Sequence, residues 1–241
     1  MGFTYRVASA PPPAEEALPT EAERRRIFAT KAGGWDREVF FQEILMGIGR
    51  WRKELIQQAK GDVLEVAAGT GRNFRYYDNA RVRSLTVTDF CSPMVEEART
   101  KKGELGTIPH SFRLANACKL PDPAEKYHAV VETFALCSYE DPVKTLKELR
   151  RVLQPEGSLL LLEHGASSWP LVNLILSRGC AHHVKQFGCY PNRPVVDLVK
   201  QAGFEVVSAK RKNFGTTYLI VAKKGREETD EKSEGNTKSD G

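Results

Sequence analysis

The sequence predicts an α/β protein with one mostly parallel, doubly wound sheet of seven strands and an antiparallel edge strand, in a single domain. Short apolar runs alternate with helical patterns over most of the 241 residues, which is typical of strands joined by crossover helices. The first apolar run stops at a glycine-rich turn, Gly69-Thr70-Gly71, as strands do beside a ligand site. The last two runs follow each other closely, which indicates an antiparallel pair beside a parallel sheet.

The first 60 residues precede the sheet. Residues 1–20 are proline-rich and are expected to form a flexible arm. Thr20 is a suitable N-cap for a first helix. A second apolar periodicity predicts a helix from about 37 to 59, separated from the first by Gly33-Gly34. We expect these cap helices, residues 21–60, to close over a ligand.

From residue 61 onward, strand and helix patterns alternate. The predicted strands are 63–67, 84–88, 111–114, 128–133, 158–163, 205–210 and 217–223. The predicted helices between them are 72–77, 93–102, 142–152 and 194–202. We divide the domain, residues 21–224, after its cap helices into one half at 61–165 and a second half at 166–224. Residues 225–241 are polar and highly charged and are expected to be disordered.

Composition narrows the class of partner and the compartment. The formal net charge is +5, and the basic residues are spread over many segments without an aromatic-interleaved groove. This distribution favours solvated surface charge over a nucleic-acid site. Five cysteines at irregular spacing, without a signal-peptide pattern, indicate an intracellular, reducing compartment, either cytoplasmic or mitochondrial. No run approaches the ~20 apolar residues of a membrane span.

The turn after the first strand distinguishes two nucleotide cofactors. A dinucleotide site requires G-x-G-x-x-G. Counting from Gly69, the third glycine position holds Phe74; counting from Ala67, it holds Arg72. Neither register fits. The segment instead has the form E-x-A-x-G-x-G, beginning at Glu65.

Two polar residues follow the next two strands. Asp89 lies 24 residues after Glu65 and begins a D-x-x-S-P-M pattern that ends at Met94. A carboxylate there can accept hydrogen bonds from a ribose diol, although a helix N-cap or a solvated strand end is the alternative. Asn116 follows the third strand, and its amide oxygen can accept a hydrogen bond from a base.

These segments, in this order, resemble the motifs of class I S-adenosylmethionine-dependent methyltransferases. Four stretches are also similar to small methyltransferase-like proteins related to the ubiquinone/menaquinone C-methyltransferases, a group with mitochondrial inner-membrane and alkyl-thiol methyltransferase members: LEVAAGTGRNFRYY, TFALCSYEDP, LLEHG and FGCYPNRPVVDLVKQAGF. The resemblance covers roughly residues 25–223 and implies a Rossmann-like fold. The chain departs from the family at Ala67, where glycine is usual, and at Asn116, where aspartate is usual.

The resemblance implies S-adenosylmethionine as cofactor and S-adenosylhomocysteine as product. It makes 61–165 the cofactor half and 166–224 the substrate-side half. It assigns the methionine end to the first turn, the ribose to Asp89, the adenine to Met94 and Asn116, and the floor to the fourth strand. The expected cofactor-binding residues are Glu65, Ala67, Gly69, Thr70, Gly71, Asn73, Asp89, Phe90, Met94, Asn116, Ala117, Thr133 and Phe134.

The acceptor is expected to be a small, lipophilic molecule such as a quinone or a thiol. His164 follows a strand at its carboxyl end, and we hypothesise a substrate-side base or orienting residue there, with a purely structural histidine as the alternative. The C-x-H-H-x₅-C spacing from Cys180 to Cys189 does not match zinc sites, so no metal is expected. DNA is not expected as a partner. RNA or protein methylation, a non-catalytic S-adenosylmethionine-binding scaffold, and peripheral membrane contact without a transmembrane segment stay open.

Overall fold

The computed structural model describes residues 19–225, and a seven-stranded sheet forms its centre. The strand order is β3-β2-β1-β4-β5-β7-β6. The strands are β1 (Gly61–Val66), β2 (Val82–Asp89), β3 (His110–Leu114), β4 (Tyr127–Thr133), β5 (Leu153–His164), β6 (Phe204–Lys212) and β7 (Thr217–Lys224). β1 to β5 pair in parallel, and β7 pairs antiparallel with both β5 and β6. The predicted fold class is confirmed; the antiparallel strand β7 is the second from the edge, and β6 is the edge strand.

The α-helices are α1 (Glu21–Lys31), α2 (Trp35–Leu45), α3 (Ile48–Ile56), α4 (Ser92–Thr100), α5 (Pro142–Val152), α6 (Pro170–Phe187) and α7 (Val195–Gln201). Thr20 caps α1 through a capping box with Glu23, as the sequence pattern indicated. None of the helices in residues 19–225 has the length and apolarity needed to cross a bilayer. The predictions made for residues 1–18 and 226–241 lie outside the described residues.

Helices cover both faces of the sheet. Successive residues of each strand point to opposite faces, so neighbouring residues pack against different helices. Val63 of β1 packs in a cluster with Leu55 of α3, whereas its neighbour Leu64 packs on the other face with Leu146 of α5. All four side chains are fully buried. Sheets covered on both faces have strands that read as near-continuous apolar runs, which is why the strands were recognisable in the sequence.

Three elements differ from the sequence prediction. The helix expected at 37–59 is interrupted at Gly47, whose φ of 65° ends α2 and lets α3 begin in a new direction. The short helix expected at 72–77 is a 3₁₀ turn over Phe74–Tyr76. Helix α6 was not predicted. Only Asn173, Cys180 and Val184 of its 18 residues are buried, so its apolar positions do not mark a core-facing stripe.

Candidate active site

A cavity of about 1150 Å³ opens at the carboxyl ends of the parallel strands, beneath helices α1, α2 and α6. This is the edge at which doubly wound sheets bind ligands. Of the fourteen predicted site residues, eleven line the cavity: Ala67, Gly69, Thr70, Asp89, Phe90, Met94, Asn116, Ala117, Thr133, Phe134 and His164. The other three, Glu65, Gly71 and Asn73, lie behind its wall. The individual binding roles remain predictions.

The turn after β1 has a backbone that depends on small residues. Gly71 has a φ of 79°, and a Cβ there would lie 2.5 Å from the ring of Phe74. Ala67 has a φ of 48°, a region in which a Cβ is disfavoured. The glycine that is usual in the family at this position therefore has a conformational reason, and Ala67 keeps the same turn at some cost in strain.

Glu65 supports the turn from behind the cavity wall. Its fully buried carboxyl accepts hydrogen bonds from Asn73 Nδ2 at 2.8 Å and from the Tyr77 hydroxyl at 2.8 Å. Burial raises the pKa of Glu65 to about 7, although both hydrogen bonds and the charge of Arg52 favour the carboxylate. The carboxyl thus binds Asn73 and Tyr77 rather than lining the cavity, and it supports the shape of the turn.

Arg52 of α3 connects the cap helices to two strand ends. Its guanidinium donates to Asn73 Oδ1 at 2.9 Å, to Thr133 Oγ1 at 3.0 Å and to Glu43 Oε1 at 2.7 Å. It also lies over the ring of Phe134, 5.2 Å from the centroid. Only 6% of the side chain is exposed, so these contacts fix the positions of Thr133 and Phe134 on the cavity floor. The sequence analysis did not identify Arg52.

Asp36 fastens the start of α2 to the same turn. Its carboxylate accepts a hydrogen bond from Thr70 Oγ1 at 2.6 Å, pairs with Arg72 at 3.1 Å and accepts from Lys101 Nζ. Lys101 also donates to the Thr70 carbonyl at 2.8 Å. Although partial burial opposes it, the hydrogen bonds from Lys101 and Thr70 lower the pKa of Asp36. Asp36 is therefore charged at neutral pH and holds α2 over the cavity.

Asp89 joins the ends of β1 and β2. Its Oδ2 accepts from the Gly69 amide at 2.8 Å and its Oδ1 from the Cys91 amide at 2.9 Å. Burial raises the pKa of Asp89, and these backbone hydrogen bonds oppose the rise. A carboxylate has about four acceptor positions, so each oxygen keeps capacity for a ligand hydroxyl. Phe90 and Met94 continue the wall beyond Asp89.

The predicted adenine edge is bridged by α1. Asn116 accepts from the Cys118 amide at 2.9 Å through Oδ1 and donates through Nδ2 to Glu21 Oε2 at 3.0 Å. Glu21 and Ala117 also lie on the cavity wall. The pairing with Glu21 explains how an amide replaces the acid that is usual at this position, because two acids so close would repel each other. The sequence analysis did not identify Glu21 as a site residue, because the pattern around it indicated only the start of a capped helix.

The opposite end of the cavity carries imidazoles and thiols. Phe134 has a φ of 56° and stacks on His164 at 6.1 Å between centroids. His164 Nε2 lies 3.8 Å from Cys189 Sγ, and His183 Nε2 lies 3.2 Å from the same sulfur. Burial lowers the pKa of His164, but the neighbouring Cys137 outweighs it, and the net pKa is raised. The His164 ring therefore has Phe134, Cys189 and Cys137 as neighbours at this end of the cavity.

Two acids lie buried beneath these groups. Glu132 of β4 and Glu163 of β5 are both completely buried. Burial raises the pKa of Glu132 to about 8, and burial together with Glu132 raises that of Glu163 well above its usual range. Glu163 Oε1 accepts from the Ala135 amide at 3.1 Å, whereas Glu163 Oε2 and both carboxyl oxygens of Glu132 lack a hydrogen-bond partner in residues 19–225.

The zinc pattern considered in the sequence separates in space. His182 is exposed, and the Cys180 thiol faces Asn192 at 3.8 Å. The structure instead gathers Cys137, His164 and Cys189, from segments far apart in the chain. Sequence spacing could not reveal this group, because Cys137 follows β4, His164 ends β5 and Cys189 follows α6.

The fold and the turn define a class of proteins, and comparison with known families agrees. Residues 64–161 match the family model described as a methyltransferase domain. The chain is 32% identical over 206 residues to the ubiquinone/menaquinone biosynthesis C-methyltransferase UbiE of Rickettsia rickettsii, covering 73% of this chain and 83% of that protein. The chain therefore belongs to the class I S-adenosylmethionine-dependent methyltransferases, related to the ubiquinone/menaquinone C-methyltransferases, and the resemblance is confirmed.

Another relative matches most of this chain over about half of its own length. The mitochondrial methyltransferase OMS1 of Saccharomyces cerevisiae is 34% identical over 228 residues, covering 87% of this chain but 48% of the yeast protein. The chain thus spans about half the length of that relative. Among solved structures, an S-adenosylmethionine-dependent methyltransferase from Leishmania major superposes with a TM-score of 0.64 at 15% identity, covering 84% of this chain and 82% of that one. This likeness shows the fold alone.

Proposed function

We propose that the protein transfers the methyl group of S-adenosylmethionine to a small, lipophilic acceptor and releases S-adenosylhomocysteine. The observation that carries the proposal is one cavity in which the turn after β1, Asp89 and Phe134 share a wall with His164. Its volume of about 1150 Å³ exceeds the range of roughly 300–1,000 Å³ that one ligand usually occupies. It therefore has room for a cofactor and an acceptor together.

Methyl transfer is an in-line displacement at a carbon that the sulfonium already activates. The protein contributes mainly positioning and the exclusion of water. In this proposal the turn and Asp89 would hold the cofactor, and Phe134, which packs against Arg52, would line the cavity floor beside it. The acceptor approaches from the side of His164. That ring stacks on Phe134 and contacts Cys189, which supports an orienting role for His164 rather than that of a mobile base.

The lining of the acceptor end supports an apolar substrate. Helix α2 contributes Val39 to the cavity wall, and α6 contributes Leu176 and Phe187. Met46, just after α2, and Ile48 of α3 also line it. Apolar walls with few polar groups are typical of sites for small molecules. The relative from Rickettsia rickettsii is named for quinone biosynthesis, so a quinone-type ring is the first acceptor to examine and a lipophilic thiol the second.

The outer faces of the same helices support contact with a membrane surface. We define the apolar rim as the exposed apolar side chains of α2, of α6 and of the segments next to them. Its members are Phe40, Phe41, Ile44, Leu45, Trp169, Leu171, Leu174, Ile175 and Phe214. Asn213 Nδ2 donates to the Met46 carbonyl at 3.3 Å, and Trp169 contacts Phe214 at 5.7 Å between centroids, which joins these segments.

An exposed apolar patch of this kind marks an interaction site. Peripheral binding would bring the cavity to where lipophilic molecules dissolve. The name of the yeast relative supports a mitochondrial location for this chemistry.

Calorimetry with S-adenosylmethionine, followed by detection of S-adenosylhomocysteine over panels of quinones, thiols, RNA and protein, tests the proposal. We expect binding, and turnover with a quinone or thiol. Asp89→Asn removes the charge and one acceptor, and it should weaken cofactor binding roughly 10- to 100-fold. Asp197→Asn, on an exposed position of α7, is the matched control. Binding without turnover on any panel would favour a scaffold, and turnover with RNA or protein alone would overturn the small acceptor.

A further inference from the structure

We propose that Cys137, His164 and Cys189 bind a zinc ion at the acceptor end of the cavity, with His183 as the nearest fourth donor. The ligand atoms of the first three residues all lie within 4.8 Å of one another. Three segments far apart in sequence thus bring two sulfurs and an imidazole nitrogen to one point. Thiolate and imidazole donors are the set that zinc prefers.

The measured distances fit tetrahedral coordination. Zinc lies about 2.3 Å from sulfur and about 2.0–2.1 Å from imidazole nitrogen, so the edges of the tetrahedron measure about 3.4–3.8 Å. Cys189 Sγ lies 3.8 Å from His164 Nε2 and 3.2 Å from His183 Nε2. The remaining pairs among Cys137, His164 and Cys189 lie within 4.8 Å, so a shift of about 1 Å or less would bring these three ligands to zinc.

The backbone around the group is already fixed. The Tyr190 amide donates to the Cys137 carbonyl at 2.9 Å, which ties the loop after α6 to the segment after β4. Arg193 donates to the Leu136 carbonyl at 2.8 Å and to the Tyr139 carbonyl at 2.5 Å. These bonds hold both cysteines in place before any ion binds, which is what a metal site requires of its surroundings.

The burial of the thiols also favours a cation. Cys137 is almost completely buried, and the Cys189 thiol is buried beside it. The Arg193 guanidinium lies near both thiols, and it donates to two backbone carbonyls. Two thiolates at this position would concentrate negative charge in a medium of low dielectric constant. A divalent ion offsets that charge and keeps both sulfurs deprotonated.

Bound zinc would place a Lewis acid on the cavity wall, because Cys137, His164, His183 and Cys189 all line the cavity. An acceptor oxygen or sulfur could then bind where His183 or water completes the coordination. This role rests on the proposed function, whereas zinc binding itself does not. If the protein binds zinc but transfers no methyl group, the metal site is supported and its catalytic role is excluded.

The test is the zinc content of the purified full chain after loading with zinc sulfate and gel filtration. We expect about one zinc per chain, released by a mercurial thiol reagent and detected with a metallochromic dye. Cys137→Ser and Cys189→Ser should lower zinc retention at least 10-fold. Cys180→Ser is the matched control, since Cys180 lies on α6 with its thiol toward Asn192, and it should keep the zinc.

Measurements on the unaltered chain test the proposal even if a cysteine variant fails to fold. Cobalt-loaded protein should show a thiolate-to-cobalt charge-transfer band that zinc abolishes. The proposal is overturned if the loaded protein holds no stoichiometric zinc, if Cys180→Ser loses as much zinc as Cys189→Ser, or if mass spectrometry of freshly isolated protein finds a Cys137–Cys189 disulfide instead of two thiols.

Discussion

At Glu65, burial outweighs hydrogen bonding. Asn73 and Tyr77 both donate to its carboxyl, which by itself would favour the charged form. The side chain is completely enclosed, however, and its pKa rises to about 7. Below about pH 7 this carboxyl is protonated, which adds no negative charge next to the turn. It also makes the stability of the fold depend on pH.

The direction of this pH dependence follows from the coupling between proton binding and folding. The folded state holds the Glu65 proton more tightly than the unfolded chain, whose carboxyl titrates near 4.5. The stabilising contribution is therefore fully present below about pH 4.5 and is lost as the pH rises through about 7. We expect Glu65→Gln to reduce the fall in unfolding free energy between pH 5 and pH 8 by on the order of 1–3 kcal/mol. Urea denaturation at both pH values measures it.

The control for this prediction is Glu205→Gln, on an exposed position of β6, which should leave the pH dependence of stability unchanged. An equal fall in unfolding free energy for Glu65→Gln and the unaltered chain would show that the Glu65 carboxyl is not the titrating group.

Single residues of the site were predictable where a short pattern carries them. Asp89 follows from its place after a strand, and the Gly69–Gly71 turn follows from the glycines themselves. Arg52 and Asp36 were not predictable. Their contacts in the turn lie 21 to 36 residues further along the chain, and charged residues in helices are usually solvated. Their role exists only once the helices lie on the sheet.

At the level of elements, α2 is held over the cavity by polar contacts rather than by core packing. No residue of this described helix is fully buried. Its attachments are Asp36 to the turn and Glu43 to both Arg52 and Arg72, at 2.7 Å and 2.5 Å. A helix attached in this way opens at a lower free-energy cost than the strands beneath it.

Removing one attachment should loosen the helix selectively. We expect Asp36→Ala to speed amide hydrogen exchange across α2 roughly 3- to 10-fold, because it removes the Thr70, Arg72 and Lys101 contacts. Exchange in β1 and β4 should not change. Mass spectrometry of peptic fragments measures this.

Arg37→Ala, exposed on the same helix, is the control for helix propensity. Equal acceleration in both variants would mean that Asp36 does not anchor α2.

The strands were predictable and α6 was not, for one physical reason. Most residues of the central strands β1, β4 and β5 are buried and form apolar runs, whereas α6 exposes Leu171, Leu174 and Ile175. Its start is stabilised by Asn173, which donates to the Ser167 carbonyl at 2.8 Å and accepts from the Ser167 amide at 2.6 Å. A core-facing periodicity cannot be read from a helix whose apolar side faces outward.

For the whole molecule, the apolar rim sets one face apart from the rest of the surface. Phe41 is 73% exposed and Leu45 is 87% exposed on α2, the helix that also lines the cavity. Singly exposed apolar residues are ordinary, but a group at the border of a binding cavity indicates an interacting surface.

Vesicle sedimentation tests this surface. We expect the protein to sediment with phosphatidylcholine vesicles, and the double variant Phe41→Ser/Leu45→Ser to bind them at least 10-fold more weakly, because the transfer free energy of two large side chains is lost. Cofactor binding should be preserved. Val207→Ser changes another exposed apolar residue, 59% exposed on β6 and outside the rim, and should sediment as before. Unchanged binding of the double variant would exclude the rim as a membrane contact.

The hydrogen bond between Glu21 and Asn116 has a kinetic consequence. Because α1 bridges the predicted adenine edge and α2 covers the turn, a spent cofactor would leave only after these helices detach. Turnover by such an enzyme would then be limited by departure of the product and not by the methyl transfer itself. We expect a pre-steady-state burst of methylated acceptor, followed by a slower phase whose rate falls as solvent viscosity increases.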